Sequence, residues 1–436
     1  MQKVKIIGAG LAGCEAALFL AKRGVQVELW EQKPAAFSPA HKSRGFAELV
    51  CSNSLKSDRE DSAAGMLKNE MRYFGSRVIQ AAESAKVPAG GALAVDRDIF
   101  SQIITDMVKN EPNITLVTQQ AERIDPIEDG YTIIATGPLT SGGLYDDIYK
   151  ICGSALSFFD AAAPIVTADS IDMDKVFTAS RWGKGDDDYI NCPMNKEQYE
   201  AFYNALAAAE RAPLKDFESD INVYEGCMPV EIMAGRGADT LRFGPLRPVG
   251  LRDPRTGHRP WANLQLRAEN AGKTMYNLVG FQTNLKFGEQ KRVFGMIPGL
   301  ENATFVRYGV MHRNSFINSP KVLNKTLNLK QRPDIYFAGQ ITGVEGYTES
   351  AMSGLLAGYF VRCRIFGKEP DLPPATTMCG ALINYITAEN ENFQPMGANM
   401  GILPPLTEHI RDKRERYLAI SRRGLADLKN TVDPAF

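Results

Sequence analysis

The feature of this chain that most constrains its fold is a glycine-rich turn near the N-terminus. Residues 4–7 are mostly apolar, and they lead directly into Gly8-Ala9-Gly10-Leu11-Ala12-Gly13, which has the pattern G-x-G-x-x-G. In such a turn the first glycine permits a tight bend, the second lets a pyrophosphate approach the backbone, and the third allows the helix to pack on the sheet. Apolar residues at three- and four-residue spacing then predict a helix that ends at Gly24.

A second strand and an acidic residue complete this unit. Val25, Val27 and Leu29 alternate toward Glu31, which lies 18 residues after Gly13. An acidic side chain at this point can accept hydrogen bonds from the hydroxyl groups of a ribose. The N-terminus of the helix also offers free N–H groups and partial positive charge to a phosphate. We therefore predict that this segment binds a dinucleotide; the alternative is a βαβ turn that binds no ligand.

Length and composition limit what the rest of the chain can be. With 436 residues the chain is too long for one hydrophobic core, so two or more domains are expected. The net charge of −1 gives no overall attraction to nucleic acid, so a surface that binds RNA must be a local basic patch. The seven cysteines include no C-x-x-C pair, which is typical of a reducing cytoplasm and argues against a zinc site. Because no run of 18 apolar residues exists, no membrane span is expected.

Two further segments predict the rest of a nucleotide-binding sheet. Residues 131–137 have the pattern of a buried strand that ends in Ala-Thr-Gly, and residues 334–340 form a second such strand about 200 residues later. A helix begins just after Gly346, and its positive end would point at the pyrimidine edge of a flavin. An enzyme that binds only nicotinamide needs just the first motif, so the combination favours FAD.

These segments predict the fold class and the domains. We expect an α/β fold whose main part is an FAD-binding Rossmann-like domain of the two-dinucleotide flavoprotein type. Its sheet is split in sequence, so the domain is predicted to be discontinuous, with residues 1–165 and 305–436. Residues 166–304 are predicted to form an inserted α+β domain. In the first part, Asp96 is expected to cap a helix that runs to Val108.

The residues predicted to contact the cofactor come from these turns and from the helices after them. Gln340 stands where many flavoproteins carry aspartate, and Arg97 is either a ligand of a cofactor phosphate or a solvated arginine in the first turn of a helix. The full predicted set is Gly8, Ala9, Gly10, Leu11, Ala12, Gly13, Glu31, Arg97, Thr136, Gly137, Gly339, Gln340, Glu345, Gly346 and Tyr347.

Several separate motifs, in the right order, give this chain a resemblance to one enzyme family. It is similar to the bacterial folate- and FAD-dependent tRNA (uracil-5-)-methyltransferases over most of its length. The segments that carry the resemblance are GAGLAG at 8–13, AELVCSNSL at 47–55, YEGCMPVE at 224–231, LRFGPLRPVG at 241–250, RYGVMHRN at 307–314, GQITGVEGY at 339–347 and NFQPMGAN at 392–399.

The resemblance implies a reaction. A one-carbon unit from 5,10-methylenetetrahydrofolate is transferred to C5 of a uridine in the T loop of tRNA (position 54 of the tRNA). Reduced FAD provides the electrons, and NADH or NADPH regenerates the reduced flavin. The predicted partners are therefore tRNA, the folate and NAD(P)H, with no membrane.

The chemistry of this reaction requires a thiolate and a base. Uracil C5 is a poor nucleophile until a thiolate adds to C6, and a base must later remove the C5 proton. Cys51 precedes a polar segment whose N–H groups can stabilise a thiolate, and Cys227 follows a glycine and lies near Glu231. A single cysteine is usually a small buried hydrophobe, but the family resemblance favours catalytic roles for Cys51 and Cys227. Our hypothesis is that Cys227 attacks C6 and that Cys51 assists near the flavin; the reverse assignment stays open.

Two aromatic residues are candidates for the folate site. The resemblance implies that His312 helps to hold the pterin against the flavin, and the alternative is a structural histidine. Tyr347, which follows a glycine at the start of the flavin-facing helix, is a candidate for the same pocket. Its alternative role is ordinary aromatic packing.

Local charge predicts where RNA binds. Residues 236–267 contain seven arginines against two acidic residues, with Phe243 and Trp261 among them. Guanidinium planes and aromatic rings suit backbone phosphates and unstacked bases. The alternative for this run, and for a second basic run at residues 411–423, is a solvated surface with internal salt bridges. The arginines predicted to bind RNA are Arg236, Arg242, Arg247, Arg252, Arg255 and Arg259.

Three other functions remain open from the sequence. The same chemistry could act on a uridine of ribosomal RNA, since target choice depends on RNA shape. A flavin oxidoreductase of a small metabolite would explain the FAD motifs, but neither the cysteine pair nor the arginine-rich insertion. A third alternative is an FAD-stabilised scaffold protein that binds RNA without catalysis.

Overall fold

The computed structural model describes residues 3–125, 130–153, 155–183, 186–212, 228–391 and 393–435, with backbone only for residues 155–160 and for 312 and 313. The strands, numbered in chain order, are β1 Val4–Ile7, β2 Val27–Glu31, β3 Ser54–Ser57, β4 Lys86–Val87, β5 Ala92–Val95, β6 Ile114–Thr118, β7 Tyr131–Ile134, β8 Ala155–Ala161, β9 Ile165–Thr167, β10 Phe177–Thr178, β11 Tyr189–Met194, β12 Ala262–Ala268, β13 Met275–Leu278, β14 Phe305–Arg307, β15 Met311–Ile317 and β16 Ile335–Phe337. The helices are α1 Leu11–Ala21, α2 Ala63–Tyr73, α3 Arg77–Ser84, α4 Arg97–Lys109, α5 Gly142–Cys152, α6 Lys196–Ala207, α7 Val230–Ala234, α8 Thr240–Phe243, α9 Phe287–Phe294, α10 Ser319–Val322, α11 Tyr347–Ile365, α12 Met378–Thr387 and α13 Lys413–Thr431.

A five-stranded parallel sheet forms the centre of the main domain. Its strand order is β16-β7-β1-β2-β6, so a strand from late in the chain pairs with strands from its beginning. Strand β1 is fully buried, as expected for a parallel strand covered on both faces. This confirms the predicted α/β fold class and the split of the nucleotide-binding sheet in sequence.

The glycine turn between β1 and α1 has the geometry that its pattern predicts. Gly8 has φ +105°, and a Cβ there would lie 2.6 Å from the carbonyl oxygen of Ala135. A Cβ at Gly13 would overlap the carbonyl oxygen of Gly8. Helix α11 packs against α1 equally closely, because a Cβ at Gly354 would overlap the backbone of Ala12. Small residues therefore let two helices and a strand meet at this turn.

The inserted part of the chain has a sheet and a core of its own. Its six-stranded sheet has the order β10-β11-β12-β13-β9-β14, and its hydrophobic core runs from Val166 to Ala303. The antiparallel ribbon of β8 and β15 connects it to the main domain, because the chain enters through β8 and returns through β15. We propose that the domain boundaries follow the two cores, with the insertion at residues 166–304.

One strand of the insertion shows how its two faces differ. Along β12, Leu264 and Leu266 belong to the hydrophobic core of the insertion, whereas Asn263, Gln265 and Arg267 alternate with them and lie on the opposite face. At Arg267 this polar face meets the main domain, where the side chain binds Ser52 and Asn53. No helix in the described parts of the chain carries an apolar stretch long enough to cross a membrane.

Candidate cofactor cleft and active site

An open cleft lies at the carboxyl ends of the parallel strands. Ligands of open α/β sheets bind at this edge, where the loops after the strands diverge. The predicted cofactor residues that line the cleft are Gly8, Ala9, Gly10, Leu11, Ala12, Glu31, Thr136, Gly137, Gly339, Gln340 and Tyr347.

The cleft has room and polar groups for a dinucleotide. A Cβ at Gly10 or at Gly137 would meet no atom within 4 Å, so both glycines leave their part of the cleft open. Because Gly10 is the N-cap residue of α1, no side chain covers the first N–H groups of that helix. The carboxylate of Glu31 lies beside them and accepts hydrogen bonds from Ala9 N at 2.9 Å and from Lys33 N at 3.0 Å. These groups fit a pyrophosphate and a ribose.

Four of the predicted cofactor residues are not part of the cleft lining. Gly13 packs α1 on the sheet, as described above. Glu345 is buried and accepts a hydrogen bond from Gln340 Nε2 at 2.5 Å, so it orients a residue that does line the cleft. Gly346 is the N-cap residue of α11 and has φ +124°, which favours glycine. Arg97, the fourth, is directed at the loop that carries Cys51.

Cys51 lies at the edge of this cleft, and Tyr347 connects the two. The hydroxyl oxygen of Tyr347 accepts hydrogen bonds from Cys51 N at 2.6 Å and from Ser52 N at 3.2 Å. Val50 and Tyr347 both line the cleft. The thiol of Cys51 lies 3.8 Å from the carbonyl oxygen of Ala161, at the end of β8. Burial raises the pKa of Tyr347 above its ordinary value, so its hydroxyl stays protonated.

Arg97 binds the Cys51 loop from the main domain. Its Nη1 donates to Leu49 O at 2.8 Å and its Nη2 to Cys51 O at 3.3 Å. Its Nε lies 2.7 Å from a carboxylate oxygen of Glu269, and both side chains are largely buried, with 16% and 3% exposure. Because Glu269 follows β12, this ion pair joins the insertion to the main domain. The contacts give no support to the predicted phosphate contact of Arg97.

Two arginines on strands of the insertion's six-stranded sheet bind the same loop. Arg307 donates to Val50 O. Arg267 donates from Nη2 to Ser52 Oγ at 2.8 Å and from Nε to Asn53 Oδ1 at 3.0 Å. The run of arginines predicted to face RNA included Arg267, but this residue is buried and faces the main domain. We call Arg97, Arg267 and Arg307 together the arginine clamp.

Cys227 lies outside the described residues, as does the side chain of His312. The chain before Cys227 is described up to Ala212, whose N–H donates to Asn284 O at 2.7 Å, and it continues at Met228. Two residues further on, the N–H of Val230 donates to Gln282 O at 2.7 Å. The backbone of His312 pairs with that of Asp160 between β15 and β8.

Gln282 and Asn284, which bind the described chain on either side of Cys227, lie near Ala161, whose carbonyl oxygen faces the Cys51 thiol. Thr283, between the two acceptor residues named above, donates its N–H to Ala162 O at 3.4 Å. Ala162 directly follows Ala161, whose carbonyl oxygen faces Cys51 Sγ. The described flanks of the Cys227 segment therefore bind residues 282 and 284, one residue away from the contact between Thr283 and the chain beside the Cys51 thiol.

The six predicted RNA-binding arginines lie on the surface of the insertion, together with aromatic rings. Arg242 stacks on Trp261, with its guanidinium carbon 3.8 Å from the ring centroid, and also pairs with Asp239 at 2.7 Å. Arg247 lies 6.0 Å from the ring centroid of Trp182. Phe243 is 83% exposed, which is unusual for a large apolar side chain without a partner surface.

The second basic run, residues 411–423, is largely engaged within the protein. Arg414 lies 3.2 Å from Asp61, and Arg422 lies 3.6 Å from Glu60. Arg423 donates to the carbonyl oxygens of Pro404 and Pro405. These contacts support the alternative of internal salt bridges for this run.

The sequence did not single out the clamp roles of Arg267 and Arg307. A signal for Arg267 was present, because the alternation Asn263, Gln265, Arg267 along β12 indicates a face that meets polar groups. Arg307 stands in one of the motifs of the resemblance, but its contact with Val50 joins residues 257 positions apart, which no local pattern indicates.

Comparison with protein families and curated proteins gives a consistent result. The model of the family described as glucose inhibited division protein A matches residues 3–369. A protein of Acetivibrio thermocellus named methylenetetrahydrofolate–tRNA-(uracil-5-)-methyltransferase TrmFO is 57% identical over 431 residues, which are 98% of each chain. A protein of Listeria monocytogenes with the same name is 56% identical over 434 residues, which are 99% of each chain.

Solved structures share the fold at low sequence identity. Aquifex aeolicus GidA in its form II crystal has a TM-score of 0.68 and 17% identity, with 97% of this chain and 73% of that chain covered. The form I crystal gives a TM-score of 0.69 and 16% identity, with 98% and 78% covered.

Proposed function

Because the chain belongs to the methylenetetrahydrofolate–tRNA-(uracil-5-)-methyltransferase family, we propose that it methylates C5 of a T-loop uridine, position 54 of tRNA. The chain is a folate- and FAD-dependent tRNA (uracil-5-)-methyltransferase, and the alternatives of a small-metabolite oxidoreductase and of a scaffold protein are not favoured. We further propose a cytoplasmic location and reduction of the flavin by NADH or NADPH.

The observation that carries this proposal is the contact between the cofactor cleft and the Cys51 loop. Tyr347 lines the cleft, and its hydroxyl binds the N–H groups of Cys51 and Ser52. When bound, FAD supplies the electrons that convert the transferred carbon into a methyl group. A thiol held at the rim of the flavin site can therefore act on a pyrimidine and a folate that meet there.

We assign the two thiols to different steps. The thiolate of Cys227 adds to C6 of the uracil, and the electron pair of the C5=C6 bond moves toward the C4 carbonyl, which makes C5 nucleophilic. Cys51 assists at the flavin side, where a base must take the proton from C5 once the carbon–carbon bond has formed. The described flanks of the Cys227 segment bind Gln282 and Asn284, and Thr283 between these residues binds Ala162, next to the residue that faces Cys51; this supports a shared site.

For the folate, we propose Tyr347 and His312. The ring of Tyr347 lines the cleft, and its hydroxyl accepts a hydrogen bond from the Cys51 loop. The ring is therefore fixed relative to the cleft and to the loop. His312 stands on β15, whose partner β8 ends at Ala161, the residue that faces the Cys51 thiol. Both residues thus come from segments that border the Cys51 loop.

For the RNA, we propose the surface of the insertion that carries Arg236, Arg242, Arg247, Arg252, Arg255 and Arg259. The stacking of Arg242 on Trp261 and the exposure of Phe243 support it. Rings and guanidinium planes of this kind bind phosphates and unstacked bases of RNA loops. Binding through phosphate contacts should weaken strongly with salt.

One assay tests the whole proposal. The purified protein is incubated with FAD, NADH or NADPH, labelled methylenetetrahydrofolate and unmodified tRNA, and the nucleosides are then analysed. We expect label in 5-methyluridine at the T-loop position, and no label when the target uridine is replaced by cytidine. Label in a ribosomal RNA fragment but not in tRNA would overturn the choice of substrate. Flavin reduction without label in either RNA would overturn the methyltransferase function.

The roles of the cysteines are tested with RNA that contains 5-fluorouridine, which traps the covalent adduct because its C5 substituent is not removed as a proton. We expect the Cys51→Ala variant to form the adduct and the Cys227→Ala variant to form none. Adduct formation by Cys227→Ala and its loss in Cys51→Ala would reverse the assignment.

A further inference from the structure

The insertion sheet presents two members of the arginine clamp on one face. Arg267 pairs with Asn277, Asn277 pairs with Ile165, and Ile165 pairs with Arg307 across four neighbouring strands. Residues paired in this way share a face of the sheet. A register shift between Phe305 and Arg307 turns Arg307 onto this face, although Phe305 packs against the core on the other face. The row is therefore built to place two guanidinium groups against residues 50–53.

Within the described part of the chain, the positive charges around the Cys51 loop outnumber the negative ones. The clamp brings three guanidinium groups to this loop, and among the described residues that face them Glu269 is the carboxylate. The other titratable groups that face the clamp are the phenols of Tyr347 and Tyr189 and the thiol of Cys51. Buried charges in proteins are normally paired, so the excess of positive charge among the described residues favours an anion at this loop.

Arg267 and Arg307, which have no carboxylate of a described residue within ion-pair distance, show this excess. Burial and the nearby charge of Arg97 lower the pKa of Arg307, and burial lowers the pKa of Arg267. Burial also opposes the charge of Arg97, but Glu269, together with Tyr347 and Cys51, raises the pKa of Arg97 above its ordinary value. An anion at Cys51 would stabilise all three cations, and by the same interaction the cations would stabilise that anion.

We propose that the arginine clamp is a set of positioning residues that hold the Cys51 loop in place and favour the thiolate of Cys51. The proposal deepens the proposed function, because it rests on the role of Cys51 given there. The clamp draws on both domains, so the thiolate is favoured only while the insertion is docked against the main domain. Its effect is on the state of the thiol before any substrate binds.

The test measures the reactivity of Cys51 in the FAD-loaded enzyme without folate or RNA. The rate of alkylation by iodoacetamide is followed between about pH 5 and pH 9, and the peptide that contains Cys51 is quantified by mass spectrometry. We expect Arg307→Gln to shift the midpoint of the pH profile upward and to slow alkylation near neutral pH by about tenfold. Arg307→Lys keeps the charge and should restore the midpoint.

A second variant is expected to shift the midpoint of the alkylation profile in the opposite direction. Glu269→Gln removes the carboxylate that pairs with Arg97 and keeps an acceptor for it, so the midpoint of the pH profile should move downward. If Arg307 and Glu269 acted only through packing, the midpoints of both variants would shift in the same direction or would not shift. Either outcome would overturn the proposal. If Arg307→Gln does not fold, the direction of the Glu269→Gln shift alone decides.

The matched control is Arg332→Gln, which removes a half-exposed arginine paired with Asp334 at 2.6 Å. It should leave the alkylation profile of Cys51 unchanged. Because alkylation needs neither folate nor tRNA, its result is independent of the methylation assay. If the wild-type enzyme failed to methylate tRNA, but Arg307→Gln and Glu269→Gln still shifted the midpoint in opposite directions, the proposed function would be wrong and this inference would stand.

Discussion

The cofactor cleft and the Cys51 loop lie side by side, but the chain specifies them in different ways. The turn of the cleft is formed by contiguous residues, Gly8 to Gly13, and each glycine has a local steric reason. The Cys51 loop is held by residues 46 to 296 positions away, from both domains. A local motif therefore fixes where the dinucleotide binds, whereas the docking of two domains fixes where the thiol lies.

The sharpest test of this comparison removes the thiol and keeps the cleft. In Cys51→Ser we expect tRNA methylation to fall by about a thousandfold or more, the size of effect typical for loss of an acid–base group. FAD content and the rate of flavin reduction should stay at the wild-type level, because the cleft is intact. Nucleoside analysis and flavin absorbance measure the two outcomes.

The control for that variant is a cysteine with no contact with the site. Cys152 ends α5, and burial raises the pKa of its thiol to about 12. Cys152→Ala should keep methylation within a few-fold of wild type. Equal loss in both variants would indicate that general stability, and not the chemistry at position 51, limits the activity.

The second prediction separates two roles within the glycine turn, close packing at Gly13 and space for the cofactor at Gly10. A Cβ at Gly13 would overlap the carbonyl oxygen of Gly8, whereas a Cβ at Gly10 would meet no protein atom within 4 Å. We expect Gly13→Ala to lower the free energy of unfolding by about 2 kcal/mol or more, with loss of FAD. Gly10→Ala should leave the apoprotein stable and weaken FAD binding only.

Thermal unfolding of the apoproteins and FAD titration separate these effects. The two variants have the same chemical change three residues apart, so each is the control of the other. If both lose stability equally, the assignment of Gly10 to the pyrophosphate side of the cleft is wrong.

The third prediction concerns Tyr347, which belongs to both regions. Tyr347→Phe keeps the ring in the cleft and removes the acceptor for two N–H groups of the Cys51 loop. Unsatisfied buried donors cost about 1–3 kcal/mol, so methylation should fall by about tenfold or more while FAD affinity changes little. If methylation and FAD affinity decreased equally, the hydroxyl would contribute to cofactor binding and not specifically to the Cys51 loop.

The same contrast explains how much the sequence revealed. The glycine turn and the cap at Asp96 were predicted correctly, because each depends on neighbours in sequence; Asp96 accepts from Asp98 N at 3.1 Å and Ile99 N at 3.2 Å. The split sheet was also predicted correctly, because each of its distant strands carries its own strand and turn pattern, although β7 and β16 are far apart in sequence. Arg97 and Arg267 were identified as charged residues, but the structure gives them different neighbours from those expected. The ion pair of Arg97 with Glu269 and the contacts of Arg267 with Ser52 and Asn53 form only when the insertion packs on the main domain, and no local pattern identifies those partners.

The smallest effect is expected on the exposed arginine surface. Arg242 is partly exposed, stacks on Trp261 and pairs with Asp239. Arg242→Gln removes one phosphate contact, so tRNA affinity should fall only about threefold to tenfold, and the slope of its salt dependence should decrease by about one. Flavin reduction and Cys51 alkylation should not change.

The matched variant here is Arg364→Gln, which removes an exposed arginine paired with Glu369 at 2.6 Å on the main domain. It should leave both the affinity and the salt slope unchanged. Arg242 is one of several exposed arginines, and solvent and salt screen its attraction to the RNA, so its loss should have a small effect. Each arginine of the clamp instead contacts the Cys51 loop directly. If Arg242→Gln instead abolished methylation at saturating tRNA, the exposed surface would have to position the target uridine as well as bind phosphates, and the separation between binding surface and reaction site would fail.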